Sequence, residues 1–248
     1  MKVLASYNIK GGVGKTATAV NLAHLAAADG ARVLVWDLDP QGAASFYFRV
    51  KPKVKGGSRG LVRGKRDLDA ATKGTDFDNL DLVPADFSYR NMDLELDATK
   101  KPTRRLAQLI RPLRNEYDYV FLDCPPSISL VSESVFEAAD ALVVPLIPTP
   151  LSVRTFEQLE SFLADSDWRR PPRVIGFFSM VDGRKALHRE LIDKVTATHP
   201  EIVSPSIPSA IDVERMGVHR APVTASAPKS RAAKAYRELW SVISERIA

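Results

Sequence analysis

Between a short apolar run at residues 3–7 and a helix-like run ending near Asp29 lies Lys10-Gly11-Gly12-Val13-Gly14-Lys15-Thr16. In strand–turn–helix order, these glycines let backbone N–H groups converge on one centre, and the helix N-terminus adds partial positive charge there. Glycines alone serve many structural turns. The Gly-Lys-Thr ending narrows the reading to a phosphate-binding loop, in which Lys15 reaches the β- and γ-phosphates of a nucleotide and the Thr16 hydroxyl ligates Mg²⁺. Lys10 stands outside that pattern, because Lys15 already supplies the point charge. It is either a solvated loop residue or a lysine with a second task.

With 248 residues, 45% of them hydrophobic, the chain is long enough for one large core and needs no second domain. We therefore expect a single domain over residues 1–248. No apolar stretch approaches the twenty or so residues of a membrane span, and the N-terminus enters a strand without a basic-then-apolar leader, so a cytoplasmic protein is expected. The one cysteine, Cys124, has no partner for an internal disulfide and falls in an apolar run, as a buried, inert thiol would. The net charge of +5 is unevenly spread: residues 169–248 carry 14 Lys/Arg against 8 Asp/Glu, and residues 1–168 carry 21 against 22. A basic C-terminal third fits a polyanion-binding surface, although a solvated face is the commoner origin of a charge cluster.

Strand-length apolar runs recur at residues 2–7, 32–36, 80–83, 119–122, 141–145 and 174–180, with a further candidate at 202–206. Helical patterns alternate with them at 17–29, 103–115, 129–139, 153–165, 186–198 and 229–247. Continuous rather than alternating hydrophobicity in the strands means that both sheet faces are covered. The chain should therefore be an α/β protein with a doubly wound, mostly parallel sheet flanked by helices, binding its ligand at the carboxyl ends of the strands. Residues 49–66 break the pattern, with Arg49, Lys51, Lys53, Lys55, Arg59, Arg63, Lys65 and Arg66, no acidic residue and four glycines. This composition predicts a basic, Gly-rich insertion loop, mobile and unable to bury a core. It would be either solvated or a contact for nucleic acid or a partner.

Two further places carry chemistry. The second strand ends in Asp37-Leu38-Asp39-Pro40-Gln41-Gly42, and carboxylates at i and i+2 share one side of an extended chain before Pro40 turns it away. Tyr119-Val120-Phe121-Leu122-Asp123 is a buried strand ending in a third carboxylate, followed by Cys124-Pro125-Pro126-Ser127. The loop with its extra Lys10, these carboxylates, Val143-Val144-Pro145, the stretch from Ser179 to Arg184, Ile207-Pro208 and the closing stretch from Pro228 to Tyr236 together resemble the ParA/MinD superfamily of deviant Walker A P-loop ATPases, in its chromosome- and plasmid-partition branch. The resemblance covers most of the chain, excepting the basic insertion.

That resemblance implies a slow, partner- or DNA-stimulated ATP hydrolase using ATP and Mg²⁺. Lys10 becomes the lysine that crosses a homodimer interface to the partner subunit's ATP. Gly11 to Thr16 and Ala17 hold the phosphates, Thr16, Asp37 and Asp123 form the magnesium shell, and Asp39 orients or activates the attacking water. Met180 and Pro208 stand where relatives contact adenine. The loop reads Lys-Thr-Ala where the family most often has Lys-Thr-Thr, so Ala17 lacks a hydroxyl that would contact the α-phosphate. Nonspecific DNA on the nucleoid and a cargo-linked ParB-like or adaptor protein are the implied partners. Arg184 takes the place of a family DNA-binding arginine, with Lys185 and Arg189 beside it, and Arg215, Arg220, Lys229, Arg231 and Lys234 extend the basic patch. The chain departs from the pattern at Ser209 and Asp212, where many ParA proteins have arginines. No membrane partner is expected: a MinD-like membrane-cycling protein needs a basic amphipathic tail, and this sequence stops within its last helix. A dethiobiotin-synthetase-like ligase is the remaining alternative.

Overall fold

We describe residues 1–166, 168 and 170–248 in a computed structural model. In chain order the first half gives β1 (Lys2–Ser6), α1 (Lys15–Ala28), β2 (Val33–Asp37), α2 (Ala43–Tyr47), α3 (Gly57–Val62), β3 (Lys73–Gly74), β4 (Leu80–Val83), α4 (Met92–Asp97), α5 (Arg105–Ile110) and β5 (Tyr119–Asp123). The second half gives α6 (Leu130–Ala138), β6 (Ala141–Leu146), α7 (Pro150–Asp165), β7 (Arg173–Phe178), α8 (Ala186–Thr198), β8 (Ile202–Val203), α9 (Ile211–Glu214), α10 (Met216–His219), α11 (Val223–Ser226) and α12 (Arg231–Ile247). The strands form one sheet in the order β3-β4-β2-β5-β1-β6-β7-β8, parallel throughout except for the β3–β4 pair.

Strand side chains alternate between two apolar layers. Val3 and Ala5 of β1, Leu34 and Trp36 of β2 and Val120 and Leu122 of β5 face one layer, completed by α4, α5, α6 and α7. Leu4, Val33, Val35 and Phe121 face the other, completed by α1 and α12. This is the two-sided cover that the unbroken apolar runs predict, and the α/β, mostly parallel architecture is as expected. The alanine-rich α1 buries most of its surface against the sheet and α12. Gly30 ends it in a left-handed conformation, φ 93°, with its N–H donating to the Ala27 carbonyl.

Proline explains two shortened elements. The helix expected over 103–115 is α5 alone, flanked by 3₁₀ turns at Pro102–Arg104 and Arg111–Asn115. Pro112 supplies no N–H for a continuing α-helix. Likewise the strand expected at 202–206 stops at Val203, because Pro205 cannot donate to the ladder.

The basic insertion is not the mobile, coreless loop its composition predicts. Within it α3 packs against α4 and α5, and Val54, Leu61 and Val62 are buried in the main core. Gly57 serves both conformation and contact: its φ is 57°, and a Cβ there would come within 2.5 Å of the Ser88 hydroxyl. The Val54 N–H donates to Asp86 Oδ2 at 2.8 Å, and the Ser58 N–H donates to Ser88 Oγ at 2.7 Å. Three apolar residues, hidden by eight charges in any average, are enough to seat the segment.

Leu61 is fully buried, so Leu61→Ala is expected to destabilise the protein by about 2–5 kcal/mol. At about 2–4 °C per kcal/mol for a chain of this size, a thermal melt would resolve that loss. A melting temperature unchanged from wild type would return the segment to a solvated loop.

Candidate nucleotide site

The loop after β1 sits where β1, β5 and β6 end, at the carboxyl edge of the sheet. Gly12 and Gly14 have φ of 72° and 100°, a region costly for any side chain, and a Cβ on Gly14 would also press on Ser179 Oγ at 3.0 Å. Side chains at both ends of the loop and within it hold its backbone in place. Asn8, buried, donates from Nδ2 to the Pro145 carbonyl and accepts the Lys10 N–H, both at 2.9 Å. Ser6 Oγ donates to the Lys15 carbonyl at 2.8 Å. Lys15 Nζ donates to the Lys10 carbonyl at 3.0 Å, and burial lowers the Lys15 pKa.

Sheet register then brings two carboxylates together. Asp37 lies opposite Asp123 in the β2–β5 pairing, while Ser6 flanks Asp123 from β1. Both aspartates are fully buried. Asp37 Oδ2 accepts both the N–H and the hydroxyl of Ser45 at 2.7 Å, but Asp37 Oδ1 and both oxygens of Asp123 have no hydrogen-bond partner among the described residues. Burial, reinforced by nearby Asp39, pushes the Asp37 pKa up to about 6 against the pull of the Ser45 bonds. Burial, then the charge of Asp37, raises Asp123 well above the usual carboxylate range, opposed by the neighbouring Thr16 hydroxyl and Lys15 ammonium. Buried carboxylate oxygens without donors call for a cation. The donor set, hard carboxylate oxygens beside the Thr16 hydroxyl, fits Mg²⁺.

A cavity of about 370 Å³ opens beside the loop. Of the expected site residues, Gly11, Gly12, Gly14, Lys15, Thr16, Ala17, Asp39, Met180 and Pro208 line it. Val13 does not; its side chain is fully buried, leaving only its backbone for phosphate. Lys10, Asp37 and Asp123 lie behind or beside the lining. Asp39 is half-buried at the wall, and its Oδ1 accepts the Gln41 N–H at 2.9 Å. Met180 adopts φ 56°, strained for a residue with a long side chain, and is 42% exposed.

Sequence reasoning missed Tyr47, Val213, Glu214 and Tyr236 in the wall, and Asn8 and Ser45 behind it. Val213, Glu214 and Tyr236 come from far along the chain, Ser45 and Tyr47 follow the Asp37–Asp39 turn, and Asn8 stands just before Lys10; no local motif announces them. Among the basic residues, Arg184, Lys185 and Arg189 gather at the exit of β7. Arg184 pairs with Asp182 at 2.9 Å, and Arg189 donates to the Gly183 carbonyl at 2.5 Å. Arg220 leans on the Phe46 ring and donates to the Phe46 carbonyl at 3.2 Å. Arg215, Lys229, Arg231 and Lys234 are exposed along the segment that leads into and begins α12.

Comparison with known proteins supplies an independent line. The family model AAA domain (AAA_31) matches residues 1–167. The sporulation initiation inhibitor protein Soj of Bacillus subtilis is 30% identical over 243 residues, covering 96% of each chain. Among solved structures, cobyrinic acid a,c-diamide synthase from Mycobacterium smegmatis with bound ADP and magnesium is 27% identical, with a TM-score of 0.83 over 98% of this chain and 94% of that one. A putative plasmid partition protein from Borrelia burgdorferi bound to AMPPNP shares the fold at a TM-score of 0.86 and 20% identity, covering 99% of each chain.

A raised carboxyl pKa means that the folded state takes up a proton more readily than the unfolded one. The nucleotide-free fold thus loses stability as pH rises through the carboxyl range. Asp123→Asn should therefore melt higher than wild type at alkaline pH, with the gap closing as pH falls and wild-type Asp123 becomes neutral. A gap independent of pH would show that Asp123 is not the group under strain.

Proposed function

The chain belongs to the ParA/Soj family of AAA_31 (ParA/MinD) P-loop ATPases, and from that membership we propose that it is a partition-type ATPase that positions a cargo over the nucleoid. ATP closes a homodimer, the dimer holds DNA without sequence preference, and a cargo-linked ParB-like or adaptor protein stimulates slow hydrolysis and release. The cargo is a plasmid, a chromosome origin or a protein assembly. The observation that carries the reading is the set of three oxygens on buried Asp37 and Asp123 without partners among the described residues, beside a glycine-shaped loop and the Lys15 ammonium.

In this reading Lys15 leaves the Lys10 carbonyl for the β- and γ-phosphates, and backbone N–H groups from Gly11 to Ala17 cradle the chain of phosphates. Thr16, Asp37 and Asp123 hold Mg²⁺ directly or through water, and the ion, when bound, neutralises phosphate charge. Asp39, on the cavity wall, orients the attacking water. Met180 and Pro208 border the adenine. Lys10 makes no ion pair among the described residues, which leaves its ammonium for the nucleotide of the second subunit. Arg184, Lys185, Arg189, Arg215, Arg220, Lys229 and Arg231 supply phosphate contacts to DNA.

Similarity to a cobyrinic acid a,c-diamide synthase favours one competing reading, a metabolic ligase on the same fold. Turnover stimulated by a small carboxylic acid would support it. No helix among the described residues is long and apolar enough to cross a membrane.

Co-sedimentation with DNA, run without nucleotide, with ADP and with ATP at several salt concentrations, is the direct test. Binding confined to ATP and weakened by salt is expected, and no binding in any state would remove the nucleoid from the proposal. Asp39→Ala should keep ATP binding, lose turnover and accumulate a DNA-bound dimer; retained turnover would take Asp39 out of the water-orienting role. Lys10→Ala should lose ATP-dependent dimerisation, measured by light scattering, and a normal dimer would assign Lys10 to solvent.

A further inference from the structure

The basic segment at residues 49–66 has no part in the function proposed above, and its fold gives it one. Lys51, Lys53, Lys55, Arg59 and Lys65 are exposed, and none is in an ion pair among the described residues. Arg49 and Arg63 are the segment's paired cations, with Asp76 and Glu95. Beside α3 lies a cleft of about 530 Å³ whose lining includes Arg63, Lys100, Lys101 and Arg105 together with Thr99 and Gln108, and no carboxylate. We propose that this segment, with Lys100, Lys101 and Arg105, is a second docking surface for the phosphate backbone of double-stranded DNA. It rests on the reading of the protein as a DNA-bound ATPase.

Three observations favour that occupant. The backbone carrying the charges is already ordered: Val54, Leu61 and Val62 are buried, and Arg105 Nε donates to the Val62 carbonyl at 2.6 Å. Little ordering entropy is then lost when the lysines meet a charged ligand. The cleft contributes only Val62 and Ala98 as apolar lining, without the aromatic or large aliphatic anchors of a protein interface. Phosphate contacts need only positive charge and donors, which this surface supplies.

The surface is separate from the Arg184 cluster. Helix α3 packs against α4, α5 and the 3₁₀ turn Phe87–Asn91 that follows β4, while the Arg184 cluster stands at the exit of β7. At roughly 4.8 Å per strand, the five spacings from β4 to β7 amount to about 24 Å. The two patches therefore engage different phosphates. The segment is also wired to the carboxylates. Asp37 Oδ2 accepts from Ser45, and Ser45 Oγ accepts the Ala85 N–H at 2.9 Å. The next residue, Asp86, accepts the Val54 N–H at 2.8 Å. Pro52 also lies against the turn after Asp39, 3.3 Å from where a Cβ on Gly42 would stand.

The test is the salt dependence of binding to a short DNA duplex with ATP, for the full-length wild type and for a variant combining Lys53→Ala, Lys55→Ala, Arg59→Ala and Lys65→Ala. Each lost phosphate contact should flatten the slope of log K against log[salt] by about 0.9, so the variant's slope should be shallower by about 3–4. Its melting temperature and its turnover without DNA should match wild type, which separates lost contacts from lost folding. A wild-type slope in the variant would overturn this surface and leave the proposed function standing. Failure of the wild type itself to bind DNA in any nucleotide state would overturn the function and this surface together. A variant that keeps the DNA slope but loses capture by phosphatidylglycerol vesicles would assign the surface to lipid and overturn the DNA proposal.

Discussion

Asp37 and Asp123 face each other across two parallel strands, wholly out of water, with three oxygens lacking donors. That arrangement is unfavourable without a cation, and the surroundings both create and contain it. Parallel register fixes the pair, since both residues end strands hydrogen-bonded at that position. Two bonds from Ser45 hold one oxygen of Asp37, while Lys15 and Thr16 stand near Asp123. Desolvated carboxylates of this kind are costly in an empty site and stabilising once a metal and its waters satisfy them. A fold that tolerates the cost couples its stability to occupancy, as binding linkage requires.

The loop opposite is shaped before any phosphate arrives. Asn8 holds the Lys10 N–H and Lys15 holds the Lys10 carbonyl, so the Lys10 backbone is fixed on both sides. The Lys15 ammonium is only partly satisfied by one carbonyl, and burial already disfavours its charge. Phosphate oxygens offer it far stronger acceptors. Moving Lys15 from carbonyl to phosphate would free one of the two clamps on Lys10, linking nucleotide arrival to the residue assigned to the second subunit.

The order of strands and helices was legible because the buried strands read as unbroken apolar runs and glycine and proline punctuated them. Where proline lay inside a periodic stretch, at Pro112 and Pro205, periodicity overestimated the element. The phosphate loop and the three aspartates were legible because each is a short motif whose chemistry depends on spacing. Residues 49–66 were misread, since composition averages over a segment while packing depends on individual side chains: Val54, Leu61 and Val62 reach the core although their neighbours are charged. Ser45, Tyr47 and Tyr236 escaped notice because the fold, not a local motif, brings them to the site, whereas Asn8 stands just before Lys10 with no pattern to single it out.

The wall of the cavity extends that last point. It draws Ala17 from α1, Tyr47 from α2, Met180 from the β7 exit, Pro208 and Val213 from the stretch around α9, and Tyr236 from α12. No one of these residues makes a pocket; their convergence depends on α12 packing against α1 across the second apolar layer. Thr18 Oγ1 donates to the Gly14 carbonyl at 2.8 Å, so the first turn of α1 is tied to the phosphate loop that it follows. Displacement of α12 would open the pocket at Tyr236 and uncover Tyr119 and Phe121 of β5, on which Trp240 packs. The glycine loop follows the strand ends, and the rest of the cavity wall comes largely from the C-terminal helices. The second is the more easily altered, because it is held by side-chain packing rather than by the sheet's hydrogen-bond ladder.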